Sequence, residues 1–348
     1  MTDRNEKQEF RPWVFAGQLA FLIALGLTVY FIYAWRTLVL AAFLGIILAV
    51  FWSTLTSGAQ QVLPRWVPRS MALFGVIIAN IAVLGGVVVL LVRPLGTQIA
   101  AFVEQLPAMT RDAWMRVEPM LRRIPGLEQF DPADIELGGM ATELVAPGIG
   151  VLGAGAYVLV GIVTVLFLGL FLALSPDQYA KGLVNLFPLR ARDRVQDLLD
   201  DLGRTLRLWM QGTALAMLSV GGLVTVLLFL LGVEYALLFG VLAGLFELVP
   251  YLGPIIAFIG PMTFALAESP QQALAVLGVY LVVQTIEGNL IVPYFMQRRV
   301  ALPPVLTVIA ILAMAQLFGF LGIFLAVPTL AVLLVFLRSA VGAETVRR

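Results

Sequence analysis

The sequence predicts an all-α, polytopic membrane protein. Of its 348 residues, 61% are hydrophobic and 12% are charged, whereas soluble domains have about 45–50% and about 25%. Several uncharged apolar stretches are long enough to cross a bilayer, and two others are interrupted by glycine and proline. We expect about six full transmembrane helices, two broken or re-entrant helical hairpins (about eight membrane segments or more) and an extracytoplasmic helical cap.

The composition limits the chemistry that this chain can perform. Cysteine and histidine are absent, and 22 basic against 21 acidic residues leave a net charge of +1. Disulfides, soft-metal sites and histidine-dependent catalysis are therefore excluded, and nothing favours a nucleic-acid partner. We expect no cofactor, no metal site and no enzymatic activity. If the chain binds or transfers protons or cations, carboxylate side chains must do so.

Residues 1–92 are predicted to form a three-helix membrane region. An uncleaved first span covers residues 13–35, and two further apolar runs cover residues 38–55 and 71–92. The link between the second and third runs is basic, with Arg65 and Arg69 and no acid. By the positive-inside rule, we expect this link and both chain termini on the cytoplasmic side of a bacterial inner membrane.

The middle of the chain alternates between polar and apolar segments. Residues 93–147 are predicted to form an extracytoplasmic cap of amphipathic helices, and residues 148–174 a glycine-rich transmembrane helix that packs closely on its neighbours. Residues 175–207 form a cytoplasmic linker with an amphipathic helix that we expect to lie along the membrane surface. Its apolar face consists of Val195, Leu198, Leu199, Leu202 and Leu206.

Residues 208–338 are predicted to form a C-terminal core, followed by a cytoplasmic tail at 339–348. In this core each of two spans precedes a broken hairpin, at residues 235–267 and 305–337. The arms of the first hairpin are too short to span a bilayer comfortably. If the first hairpin enters from outside and the second from inside, the order is that of an inverted repeat with a midplane binding site. The predicted tip and hinge residues are Pro250, Gly253, Pro254, Gly319, Gly322 and Pro328.

Two carboxylates inside these apolar stretches are the strongest candidates for function. Glu247 precedes the first predicted tip, and Glu287 lies one helical turn from Gln284, on the same face. Asn289 and Tyr251 complete the candidate substrate- or ion-binding set. Because a carboxylate in hydrocarbon is costly, one interpretation is a proton or Na⁺ site. The other is that each carboxylate caps a broken helix or accepts from an unpaired backbone donor.

Three motifs together resemble the autoinducer-2 exporter family of bacterial permeases. They are Glu-Leu-Val-Pro-Tyr-Leu-Gly-Pro at 247–254, Gln-Thr-Ile-Glu-Gly-Asn-Leu-Ile-Val-Pro at 284–293 and Gly-Phe-Leu-Gly-Ile-Phe-Leu-Ala-Val-Pro at 319–328. The resemblance implies secondary transport, with export of the furanosyl quorum signal by some members and Na⁺(Li⁺)/H⁺ antiport by others. It also implies a homo-oligomer, with a pentamer as one arrangement.

The resulting functional hypothesis is a transporter of a small polar solute, coupled to H⁺ or Na⁺ through Glu247 and Glu287. The partners are the lipid bilayer, the solute and the ion. A Na⁺(Li⁺)/H⁺ antiporter, a passive oligomeric channel and a non-transporting scaffold are the alternatives. The chain has no phosphate-binding loop of the Gly-x-x-x-x-Gly-Lys-Ser/Thr kind. Transport driven by ATP hydrolysis would therefore need another subunit.

Overall fold

The computed structural model describes residues 34–122, 155–291 and 303–345, together with residues 23, 26 and 30. Apart from short links these residues are helical, and none of them forms a strand, which confirms the all-α class. A π-helical segment at Glu287–Ile291 directly follows the helix Pro270–Ile286. The helices are α1 (Arg36–Val62), α2 (Arg69–Leu121), α3 (Gly155–Leu174), α4 (Pro176–Asn185), α5 (Leu189–Leu230), α6 (Ala236–Phe246), α7 (Leu252–Glu268), α8 (Pro270–Ile286), α9 (Pro304–Phe318) and α10 (Phe320–Thr345).

Four helices in the described ranges are long and apolar enough to cross a membrane: α1, α2, α5 and the Phe320–Ser339 part of α10. Helices α3 and α4 qualify only as a pair, and they are bent by 87° at their junction. This bend agrees with the predicted end of the span near residue 174. The predicted first span lies almost wholly outside the described residues, as do residues 123–154.

Helix α2 extends far beyond the predicted third span. We expected the span to end at residue 92, but the helix continues to Leu121 and is 53 residues long, or about 80 Å. At least part of the predicted cap is thus a direct extension of the span. Leu73 packs in a cluster with α1 and α3, and Met109 in a cluster with α5 to α8. Between these two ends, residues 81–90 are exposed on every side.

We expected the amphipathic linker to be a separate helix lying on the membrane surface, and this prediction was wrong. The linker forms the first half of α5, which is one continuous helix of 42 residues, about 63 Å long. Since the hydrocarbon core is about 30 Å thick, this half projects beyond the span. The predicted faces are nevertheless correct, because the five apolar positions are all at least half-buried. The acidic residues on the other face are exposed, namely Asp193, Asp197, Asp200 and Asp201.

Both predicted hairpins are present as pairs of helices that pack on each other across a break, α6 with α7 and α9 with α10. The prediction for the second hairpin was wrong in one respect. Its second arm, α10, is 26 residues long and Pro328 lies inside it, so Pro328 does not interrupt the run. A proline removes only one hydrogen bond of a helix, and the neighbouring turns continue. The break is at Gly319, where φ is +65°.

Helices α5 and α6 pack backbone to backbone. A Cβ built on Gly240 would lie 1.8 Å from the Thr225 Oγ1 and 2.7 Å from the Gly221 carbonyl oxygen. The Thr225 hydroxyl also donates to that carbonyl at 2.8 Å. Small residues that let two helix backbones approach this closely are typical of membrane interfaces. The contact holds the first hairpin against α5.

We expect Gly240→Ala to destabilise the protein. The added methyl group forces α5 and α6 apart, at a cost of about 2–3 kcal/mol. Gly222→Ala is the matched control on α5, because a Cβ there meets nothing within 4 Å. Thermal unfolding of the purified protein in detergent should show a lower melting temperature for the first variant alone. Equal melting temperatures for both variants would contradict this account of the interface.

Candidate functional site

The first hairpin turns sharply between α6 and α7. Helix α6 ends at Phe246, and the Gly253 N–H donates to the Val249 carbonyl oxygen at 2.7 Å. Tyr251 has a φ of +68°, a region that residues other than glycine rarely occupy. A Cβ on Gly253 would lie only 1.9 Å from the Phe246 carbonyl oxygen, so only glycine fits the start of α7. Pro254 lies in the first turn of α7, where no intrahelical donor is lost.

The second hairpin also has a glycine packed against a backbone carbonyl oxygen, and the two hairpins share an apolar cluster. A Cβ on Gly322 would lie 2.0 Å from the Met314 carbonyl oxygen, which parallels the contact of Gly253. Val249, at the tip of the first hairpin, is buried in one cluster with Ile311 of α9 and Ala326 of α10. The tip of the first hairpin therefore packs with apolar side chains from both arms of the second.

Helix α8 changes its winding at the candidate carboxylate. Ser269 begins the helix by accepting from the Gln272 N–H at 3.1 Å, and regular α-helix ends at Ile286. Glu287 is the first residue of the π-helical segment. Such segments are rare and are often found at functional sites. The side chain of Gln284, one turn earlier, donates from Nε2 to Glu287 Oε2.

The carboxyl groups of Glu247 and Glu287 lie close enough to interact with each other. Both residues are buried, with 8% and 9% of their surface exposed. A hydrogen bond between two carboxyl groups requires a proton on one of them, because an ionised carboxylate can only accept. Oxygen Oε2 of Glu247 is buried and has no hydrogen-bond partner among the described residues.

The described helices that flank the two glutamates, and the apolar part of α5 beside them, contain no basic residue. Helix α5 packs on α6, α8 and the π-helical segment, and α7 packs on α6 and α8. Neither residues 208–230 of α5 nor the helices α6, α7 and α8 contain a lysine or an arginine. Two buried carboxylates in contact repel each other strongly when both are ionised. A proton or a small cation bound between them would relieve this repulsion.

Helix capping explains Glu247 poorly. It occupies the C-terminal cap of α6, where the unpaired backbone groups are carbonyl oxygens that need donors. An ionised carboxylate cannot donate, and it faces the negative end of the helix dipole. In the described ranges no backbone N–H donates to the Glu247 carboxyl group. The geometry therefore does not support a capping role for Glu247.

Two other candidate residues are not part of this pair. The Asn289 side chain is exposed and donates from Nδ2 to the Thr285 carbonyl oxygen of its own helix, at 2.9 Å. Tyr251 is 50% exposed at the turn of the first hairpin. The structure thus brings together Glu247, Glu287 and Gln284 from the predicted set.

Two residues that the sequence did not mark hold the first hairpin in place, and both lie on α2. Gln98 accepts from the Leu238 N–H at 2.9 Å, at the start of α6, and Arg116 donates to the Ala267 carbonyl oxygen at 3.0 Å, at the end of α7. Phe102 packs edge-on against Phe239 between them. Only the helical spacing of the apolar residues around Phe102 could have indicated this contact.

The comparisons with known proteins agree with this architecture. The profile of the AI-2E family transporters matches residues 19–342. The chain is similar to YueF of Bacillus subtilis (strain 168), with 23% identity over 302 residues that cover 83% of this chain and 81% of YueF. It is also similar to the AI-2 transport protein TqsA of Escherichia coli (strain K12), with 26% identity over 316 residues that cover 86% of each chain. With its broken hairpins and several membrane-spanning helices, the chain belongs to the AI-2E family of membrane transporters.

Proposed function

We propose that the protein is a secondary transporter that couples the movement of a small polar solute to H⁺ or Na⁺ through Glu247 and Glu287. One observation carries the proposal: two buried carboxyl groups lie close together where a broken hairpin meets a π-helical segment, and neither α6, α7, α8 nor residues 208–230 of α5 contain a basic residue. Binding and release of one ion would change the charge of this pair. That change would bias the hairpin between two arrangements.

The solute proposed for this chain is a quorum-sensing molecule of the autoinducer-2 type. The support is the similarity, over most of both chains, to TqsA, an AI-2 transport protein. The second candidate is Na⁺(Li⁺)/H⁺ antiport. It is favoured by the small polar patch at the pair, where two buried carboxyl groups lie beside the more exposed amide of Gln284. In that case the pair itself would carry both exchanged ions.

We place the protein in a bacterial inner membrane with both termini in the cytoplasm. The basic link between α1 and α2 supports this orientation, as do Arg338, Arg347 and Arg348 near the C-terminus. A homo-oligomer is part of the proposal. Its support is the stretch 81–90 of α2, which is apolar and exposed on every side, as expected of a surface covered by lipid or by a second copy.

Flux measurements in liposomes test the proposed function. Full-length protein is reconstituted, and uptake of a labelled autoinducer-2-type solute is followed with an imposed pH gradient, an imposed Na⁺ gradient or no gradient. We expect saturable uptake that one of the two gradients accelerates. If Na⁺-driven pH changes occur in vesicles without any solute, the antiporter is correct instead. Flux that neither saturates nor responds to gradients would indicate a passive channel, and no flux of either kind a scaffold.

A further inference from the structure

A polar cleft that contains neither residue of the carboxyl pair lies between the charged half of α5 and the end of α10. It has a volume of about 590 Å³. Its charged wall consists of Arg194, Asp197, Asp201, Arg204 and Arg338. Three guanidinium groups against two carboxylates leave one net positive charge. The proposed coupling mechanism does not use any of these residues.

The cleft lies where both helices change from apolar to charged sequence. Helix α5 has no charged residue from Leu208 to Leu230, and α10 has none until Arg338. Because such a change marks the boundary between hydrocarbon and water, the cleft opens at the level of the lipid headgroups. Its wall also includes Leu198, Leu208 and Val335. The cleft is thus amphipathic, with a charged region beside an apolar one.

The basic residues of the cleft are not equally engaged. Arg194 donates from Nη2 to the Ser339 carbonyl oxygen, which ties α5 to α10. Arg204 lies 3.7 Å from Asp201, and both side chains are 60% exposed, which makes this a weak pair. Arg338 forms no ion pair within the ranges that the structure describes. Its guanidinium group is therefore available to an anion, with Arg204 beside it.

We propose that this cleft binds the phosphate of an anionic glycerophospholipid. A guanidinium group offers paired N–H donors that match phosphate oxygens, and Arg338 and Arg204 supply two of them. The single net positive charge suits the single negative charge of a phosphodiester. Leu208 and Val335 then contact the glycerol backbone and the first methylenes of the acyl chains. Basic pockets between transmembrane helices are known to hold such headgroups.

Lipid retention by the full-length protein tests this proposal. Delipidated protein in detergent is titrated with phosphatidylglycerol, with phosphatidylcholine or with inorganic phosphate, and bound lipid is counted by native mass spectrometry. We expect saturable retention of phosphatidylglycerol in preference to phosphatidylcholine. Arg338→Gln and Arg204→Gln should each weaken it about fivefold, the factor expected for one basic residue near an anionic lipid. Arg207→Gln removes the same charge from α5 outside the cleft and should bind as the wild type does.

Three results would overturn the proposal. Both cleft variants could retain phosphatidylglycerol as well as Arg207→Gln does, which would place the lipid elsewhere. Phosphatidylcholine could be retained equally well, which would mean that the charge of the headgroup is not recognised. Inorganic phosphate at millimolar concentration could displace the lipid completely, which would make the cleft a site for free phosphate.

Discussion

Glu247→Gln is expected to abolish gradient-driven solute uptake, down to the leak rate of protein-free vesicles. The amide has nearly the shape of a protonated carboxyl group, so the pair with Glu287 loses its ability to gain and release an ion. Solute exchange between equal concentrations on the two sides should persist, because that exchange needs no change in charge. The measurement is solute flux in liposomes with and without the pH or Na⁺ gradient that drives the wild type.

Two controls accompany this variant. Glu104→Gln removes an exposed carboxylate on α2 and should leave driven uptake unchanged. Glu287→Gln should reproduce the loss seen with Glu247→Gln, since the two carboxyl groups act as one pair. Wild-type coupling in both glutamine variants would refute the role of the carboxyl pair. The persistence of exchange separates loss of coupling from loss of folding.

Gly253→Ala should have the largest effect on folding. Its Cβ would lie 1.9 Å from the Phe246 carbonyl oxygen, and a backbone atom cannot move aside as a flexible side chain can. Relief requires that the whole turn between α6 and α7 shift, which also displaces Glu247 from Glu287. We expect a loss of about 3 kcal/mol or more. The yield of monodisperse protein in detergent and its melting temperature measure this loss.

Gly278→Ala is the matched control for the first hairpin. Gly278 lies inside α8, and a Cβ there meets nothing within 4 Å. Because alanine favours helix over glycine by about 1 kcal/mol, this variant should be as stable as the wild type or more so. A Gly253→Ala protein with the melting temperature of Gly278→Ala would show that the turn tolerates a side chain.

The candidate site was predictable in part. Local sequence places Glu247 at a break with two prolines and a glycine, and it places Gln284 and Glu287 on one helical face. Their contact was not predictable, because 40 residues separate the two glutamates in the sequence. That contact depends on how α5, α6 and α8 pack. The docking of Gln98 and Arg116 on the ends of the first hairpin is of the same long-range kind.

The sequence by itself determined the membrane class, the two hairpins, the faces of the amphipathic stretch and the family motifs. Each of these follows from hydropathy, helical spacing or turn residues within a short window. Only the tertiary structure decided where helices end, since α2 and α5 both continue through changes in composition that predicted a boundary. A helix ends where its backbone hydrogen bonds end, and hydropathy does not report those. The tertiary structure also decided that Gly319 rather than Pro328 breaks the second hairpin. Finally, it decided that two buried glutamates lie close together, with no basic residue on α6, α7, α8 or residues 208–230 of α5.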